Sequence, residues 1–505
     1  TRPATLAVVL TLVAAIAVNA LLDDSAAPGA GMIATANAAD GRGEVGVFNF
    51  AFVAGGGKRT PALLEGGPKG ERIYGTVARQ SIFWSCVQPR EGAWKMDGCR
   101  QVRLVDQLQA AGWDVQVVLR TKAGQFGNGP FWATDWPGQK ENPDVAYAPV
   151  DMLDEPSPEF AYSKGFYDYV SRVIDRYCDG SQCRIHSFVI DNESNSREQW
   201  IGRGKTPESD VADYVRLVAT ARKAIDDSGA RLPLFDSGIQ GYAVLWHVLA
   251  EELKARGPQA AAATYSAYFN AESSPDRIAK MIQQRVKRPP IAKINLFMES
   301  DLHRYTDGVN FHHYQTPQSI PALVDYLRKR APAGHAIATN EVGVREKIVQ
   351  STDKDLINAW MIQKMVYLLD SEVSPVIWFT ILAKANLGGF TTGQAKFKPA
   401  HAAAWNSFAS LVGDGVTDVS MESAEAGDQA LMRAVLKSPE GRFAVEWFEG
   451  DQAGNWSDVA GPSGCETDQP RYANRYLRVV TCDLSLIHIS EPTRPAPLSR
   501  MPSSA

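Results

Sequence analysis

Two glutamates close two apolar runs in this chain: Glu193 in Phe188-Val-Ile-Asp-Asn-Glu193 and Glu341 in Ala336-Ile-Ala-Thr-Asn-Glu341. Each run is short and rich in aliphatic residues, and small or polar residues follow it. Such a run reads as a buried parallel strand. Carboxylates at the carboxyl ends of two strands in a closed barrel face each other across its mouth, where barrel active sites lie. Two carboxyl groups flanking one bond can split a glycosidic linkage. One attacks the anomeric carbon; the other protonates the departing oxygen and later takes a proton from water. The first must be ionised and the second neutral, so their surroundings have to differ. A single strand-end glutamate is more often just a solvated carboxylate. A matched pair shifts the reading to catalysis.

Other residues can serve that pair. In Asn310-Phe-His312-His313-Tyr314 a strand's alternation puts residues 310, 312 and 314 on one face. His312 and Tyr314 are then expected at the pocket mouth, with His313 turned outward. Arg79 and Tyr314 can donate to Glu341 and hold it ionised. The bland alternative for His312 is a satisfied core histidine, and for Trp378 a barrel-core tryptophan. No H-x-H stands on the first strand and the histidines are scattered, so neither a metal nor a cofactor is expected.

Eight runs can supply the strands: Val45–Val53, Ile73–Trp84, Val115–Arg120, Ile185–Asn192, Leu232–Asp236, Gly308–Tyr314, Ala336–Asn340 and Pro375–Thr380. Helical periodicity follows most of them, over Val102–Ala111, Tyr162–Tyr177, Val211–Asp227, Tyr242–Ala255, Ile320–Arg330, Asp355–Leu369 and Ala402–Val412. This alternation predicts an α/β (β/α)8 TIM barrel over residues 41–412. A doubly wound open sheet is the runner-up, but no Gly-rich turn follows the first strand. The loop Lys122–Pro158, with Phe131, Trp132 and Trp136, should shape the cleft; Gly257–Asp307 resists division. After Val412 short β patterns broken by Gly, Asn and Pro predict a small β-sandwich-like domain over 413–483.

Asn192-Glu193, Glu341, His312, Tyr314, Trp378 and the stretch from Arg79 through Trp84 to Trp94 resemble the clan A retaining glycoside hydrolases. The likeness covers most of residues 44–412. The segment Arg79-Gln-Ser-Ile-Phe-Trp84-Ser-Cys-Val-Gln-Pro89-Arg-Glu-Gly92-Ala-Trp94 is most similar to glycoside hydrolase family 39 and its neighbours. The resemblance implies an eight-fold barrel, Glu193 as acid/base at the end of strand 4 and Glu341 as nucleophile at the end of strand 7. It further implies that Asn192 bonds the sugar 2-hydroxyl, that Arg79, His312 and Tyr314 line the site, and that Trp378 floors the subsite of the attacked sugar. The expected partner is a poly- or oligosaccharide. A non-catalytic glycan-binding barrel and a transglycosylase are the alternatives.

The net charge of −5, without a basic block, argues against nucleic acid as a partner. Twelve Trp and sixteen Tyr can pack the core or offer platforms for sugar rings. Six cysteines fall into near pairs, Cys86 with Cys99, Cys178 with Cys183 and Cys465 with Cys482, although other connectivities are open. An oxidising compartment is the simplest explanation. The apolar run Leu6–Leu22, with candidate cleavage sites at Val18-Asn19-Ala20 and Ala36-Asn37-Ala38, predicts a signal peptide or membrane anchor over residues 1–40. The chain starts at Thr1 without Met, so its frame is expected to be clipped upstream. Leu484 to Arg494 resembles a translated sequencing-library adaptor, and 484–505 are set aside as non-native.

Overall fold

A computed structural model describes residues 45–48, 73–122, 131–134, 145–204, 206–379, 382–383, 391–392, 398–413, 415–426 and 429–482. The expected leader, Trp136 and the adaptor-like tail lie outside these residues. Among the described residues no helix is long and apolar enough to cross a membrane.

Eight parallel strands form the barrel: β1 (Val45–Phe48), β2 (Val77–Phe83), β3 (Asp114–Arg120), β4 (Ser187–Ile190), β5 (Leu234–Phe235), β6 (Gly308–His313), β7 (Ala336–Val342) and β8 (Val376–Trp378). Each pairs with the next, and β8 returns to β1, so the sheet closes. Burial explains the sequence pattern. Every residue of β4 and β6 is buried, one face by the barrel interior and the other by helices, so the runs show little polar alternation.

Helices α1 (Arg100–Ala110), α2 (Lys164–Tyr177), α3 (Pro207–Ser228), α4 (Gly241–Phe269), α5 (Pro275–Arg285), α6 (Pro289–Glu299), α7 (Ile320–Arg328), α8 (Lys354–Asp370) and α9 (Pro399–Val412) surround it. Their ends follow local chemistry. Ser163 caps α2 by accepting from Phe166 N, and Phe166, Tyr169, Val170, Val173, Ile174 and Tyr177 form its buried stripe. Thr206 and Ser209 make a capping box on α3, Pro207 opens the helix, and Gly229 ends it in the left-handed conformation.

The undivided stretch after residue 256 is helical. Helix α4 bends at Gly257 (φ 86°), just before Pro258, which interrupts the periodicity that would have extended the helix from sequence. Two more helices, α5 and α6, each start on a proline and fill the connection to β6.

Five antiparallel strands follow, β9 (Asp418–Ala426), β10 (Gln429–Ser438), β11 (Gly441–Phe448), β12 (Tyr472–Ala473) and β13 (Leu477–Cys482), in the order β9-β10-β11-β13-β12. Their inner face meets the outer helices: Trp447 lies edge-on to Tyr367 of α8, and Phe443 edge-on to Phe408 of α9. Helix α8 is therefore buried on nearly every side, between barrel and sheet. All three near cysteine pairs are bonded, with Cα–Cα distances of 5.3, 4.0 and 3.8 Å for Cys86–Cys99, Cys178–Cys183 and Cys465–Cys482.

Candidate active site

The chain leaves β4 through a turn that sparsely populated backbone angles hold in shape. Asp191 and Glu193 both have positive φ, 58° and 45°. For non-glycine residues this costs about 1–3 kcal/mol each, and surrounding contacts must impose it. Buried Asp191 accepts from Arg120 Nε, Thr121 N and Thr121 Oγ1, at 3.1, 3.2 and 2.7 Å. Glu193 N donates to Ser237 O at 3.0 Å, and Ser194 N to Ser237 Oγ at 3.0 Å. The turn lifts the Glu193 side chain over the barrel mouth.

Glu341 reaches the same place by a different device. The register of β7 shifts against both neighbours, between Asn310 and His312 on β6 and between Thr339 and Val342 on the β8 side. Such irregularities re-aim side chains at barrel rims. Glu341 turns inward, where Tyr314 Oη donates to Oε1 at 2.5 Å and Arg79 Nη1 donates to Oε2 at 2.9 Å. Arg79, 1% exposed, also donates to Asn340 O at 3.1 Å and through Nη2 to Asn192 Oδ1 at 2.6 Å. One guanidinium thus ties the two strand ends together.

The imidazole of His312 stands between the carboxylates. Its Nδ1 is 2.9 Å from Glu193 Oε1 and 3.7 Å from Glu341 Oε2, while Nε2 is 2.9 Å from Asn340 Oδ1. Gly238, at φ 76°, makes room for it, since a Cβ there would come within 2.3 Å of Nε2. Gln240 Nε2 donates to Glu193 Oε2 at 2.7 Å. One oxygen of each glutamate and a nitrogen of His312 all lie within 4.8 Å of one another.

Burial pushes the Glu341 carboxyl pKa up, but His312, the Arg79 guanidinium and the hydrogen bonds from Tyr314 and Arg79 outweigh it. The net position is below the usual carboxylate value. Burial, reinforced by the Glu341 charge, holds the Tyr314 phenol well above its ordinary value, so it remains a neutral donor. Glu193, His312 and Glu341 also have the spacing of a metal-ligand set. Arg79 already occupies Glu341 Oε2, however, and its positive charge opposes a cation there.

Six of the seven expected site residues therefore converge: Arg79, Asn192, Glu193, His312, Tyr314 and Glu341. His313 faces outward, bonded through Nε2 to Ser319 Oγ at 2.8 Å. Trp378 departs from expectation. It pairs in register with Val342, whose side chain belongs to the outer core, and packs on Trp405 of α9 with centroids 6.4 Å apart. Fully buried there, it cannot floor a sugar subsite. The next residue, Phe379, points inward and lies edge-on to Tyr314 at 6.1 Å. Phe131 and Trp132 brace Trp84 edge-on, at 5.4 and 5.8 Å, instead of standing free as platforms. Sequence reasoning missed Gln240, Asn340 and Phe379. Only Asn340 carried a signal, preceding Glu341 as Asn192 precedes Glu193.

No family model matches the sequence, and no curated protein matches it. Among solved structures, a family 39 glycoside hydrolase from the gut symbiont Bacteroides cellulosilyticus WH2 superposes with a TM-score of 0.51 at 13% identity, over 88% of this chain and 81% of that one. The catalytic domain of GH30 xylanase C from Talaromyces cellulolyticus reaches a TM-score of 0.44 at 11% identity, over 81% and 84%. The first likeness places the barrel with its appended sheet among known folds.

Proposed function

We propose that this chain is a retaining glycoside hydrolase acting on a poly- or oligosaccharide. One observation carries the reading: the carboxylate of Glu341, held ionised by Arg79 and Tyr314, stands within 4.8 Å of a carboxyl oxygen of Glu193. Retaining pairs sit roughly 5–5.5 Å apart, and inverting pairs roughly 6.5–9.5 Å apart to leave room for water. The close approach of one oxygen from each carboxylate fits direct attack better than a pair held apart by a water.

Glu341 Oε2 or Oε1 forms the bond to the anomeric carbon as the glycosidic C–O bond breaks, and protonated Glu193 delivers its hydrogen to the leaving oxygen. Glu193, now a carboxylate, then removes a proton from water, whose oxygen attacks the anomeric carbon and releases Glu341. Arg79 loses part of its ion pair when Glu341 becomes an ester, and its second nitrogen keeps Asn192 oriented toward the sugar. Three disulfides fit a protein that works in an oxidising compartment. The decisive experiment is a panel of aryl glycosides and polysaccharides, with the anomeric configuration of the first product followed by NMR. Retention supports the double displacement; inversion, or binding with no turnover on any substrate, overturns it.

A further inference from the structure

Gln240 sits where the chain enters α4, 47 residues from Glu193 in sequence, and its amide could in principle face the carboxyl with either oxygen or nitrogen. The surroundings permit one orientation. Asn195, fully buried, accepts through Oδ1 from the Gln240 backbone N–H at 3.1 Å and donates through Nδ2 to Pro290 O at 3.0 Å. A backbone N–H can only donate and a carbonyl can only accept, so the Asn195 amide has a single setting. That setting presents Asn195 Nδ2 to Gln240 Oε1 at 3.4 Å. The other end of the Gln240 amide, Nε2, is then left to face Glu193 Oε2 at 2.7 Å.

We propose that Gln240, locked by Asn195 and the first turn of α6, is the positioning residue of the acid/base, keeping Glu193 Oε2 a permanent acceptor so that the transferable proton resides on Oε1. The inference rests on the glycosidase reading for its catalytic meaning, although the hydrogen-bond logic stands without it. An amide N–H binds a carboxylate more strongly than a carboxylic acid. Gln240 therefore favours the form of Glu193 that acts as base in the second half of the reaction. It also links the helical insertion to the chemistry, because the anchoring carbonyl of Pro290 belongs to α6.

The groups facing Glu193 from other elements are His312 on β6, Tyr314 just after it, Glu341 on β7 and Tyr242 at the start of α4. Glu198, Arg285 and Arg345 act in turn on Tyr242. None is altered by replacing Gln240, so a change in titration reads Gln240 alone.

The test uses Gln240→Met, similar in size but without a donor, and Asn195→Ala, which releases the lock. The Glu193 carboxyl is followed by 13C titration, with Glu193→Gln subtracted to isolate its signal; kcat/KM is measured against pH on an alkyl glycoside, whose leaving group needs the proton, and kcat and kcat/KM are also compared on a 2,4-dinitrophenyl glycoside. In Gln240→Met the titration midpoint and the alkaline limb of kcat/KM should both rise by about 1–2 pH units, the worth of one hydrogen bond to a charged group. Below that limb kcat should fall more than kcat/KM, because the base-assisted step suffers while the activated leaving group departs unaided. Asn195→Ala should move the midpoint the same way by less, and it decides the matter if Gln240→Met does not fold. A folded variant with an unmoved midpoint overturns the proposal. The titration tests Gln240 even if no glycoside is turned over, an outcome that would sink the glycosidase reading separately.

Discussion

Tyr314 Oη donates to Glu341 Oε1 across 2.5 Å, joining the end of β6 to the end of β7 at a carboxylate that Arg79 holds from its other side. The phenol is 6% exposed, so this hydrogen bond works with little competition from water. Tyr314→Phe removes the donor and keeps the ring against Phe379. A hydrogen bond to a charged group contributes about 1.5–3 kcal/mol, so kcat/KM should drop roughly 10–100-fold. The Glu341 pKa lies below the ordinary value in the wild type, and its loss of a donor raises it. The acid limb of the pH–rate profile should therefore move to higher pH. An unmoved limb would mean that Tyr314 does not tune the nucleophile.

Glu193→Ala removes the proton donor, and its cost should depend on the leaving group. An activated aryl group departs with little protonation, so the first step on such a substrate should be nearly intact, whereas a sugar leaving group should lose several orders of magnitude. Added azide should speed turnover of the aryl substrate by attacking the covalent intermediate, and the product should be a glycosyl azide of retained configuration. Glu341→Gln should abolish turnover on both substrates and keep glycan binding. Activity that survives both substitutions would place the chemistry elsewhere.

Trp378 and Phe379 should separate by phenotype. Trp378 packs outward on Trp405, so Trp378→Ala should destabilise the fold by about 3–5 kcal/mol, read as a lower denaturant midpoint. Phe379→Leu should change KM and kcat for glycosides with a much smaller effect on the midpoint, because its ring stands beside Tyr314 on the inner face. The reverse pattern would restore Trp378 to the subsite.

Asp236 gives a prediction about stability. Burial raises its carboxyl to about 7, against the opposing hydrogen bonds from Gly238 N and Asn310 N and the nearby His312. A carboxyl with a raised folded pKa binds its proton more tightly when folded, so its favourable contribution is present at low pH. That contribution is lost as pH climbs from the unfolded value near 4 to about 7. Asp236→Asn keeps an acceptor oxygen for both backbone donors and carries no charge. Its stability should be flatter than wild type across that window and greater above it, by at most about 4 kcal/mol. Parallel pH–stability curves for the two proteins would refute the assignment.

The barrel was legible from the chain alone because its strands are buried on both faces, which forces continuous apolar runs, and because helical periodicity follows most of those runs. The two glutamates were legible for the same reason, as each ends such a run. Residues that act through distant partners were not. Arg79 and Glu341 are 262 positions apart, and Gln240 and Asn195 meet Glu193 and Pro290 only after closure of the barrel brings β5 beside β4 and folds the insertion over both. Strand alternation read His312 and His313 correctly, since β6 runs regularly through them. The family resemblance placed Trp378 in the sugar subsite, whereas its side chain lies on the outer face of β8, packed on Trp405. Local sequence encodes burial and caps; register shifts, close approach at Gly238 and amide orientation depend on groups that only the folded chain brings within hydrogen-bond range.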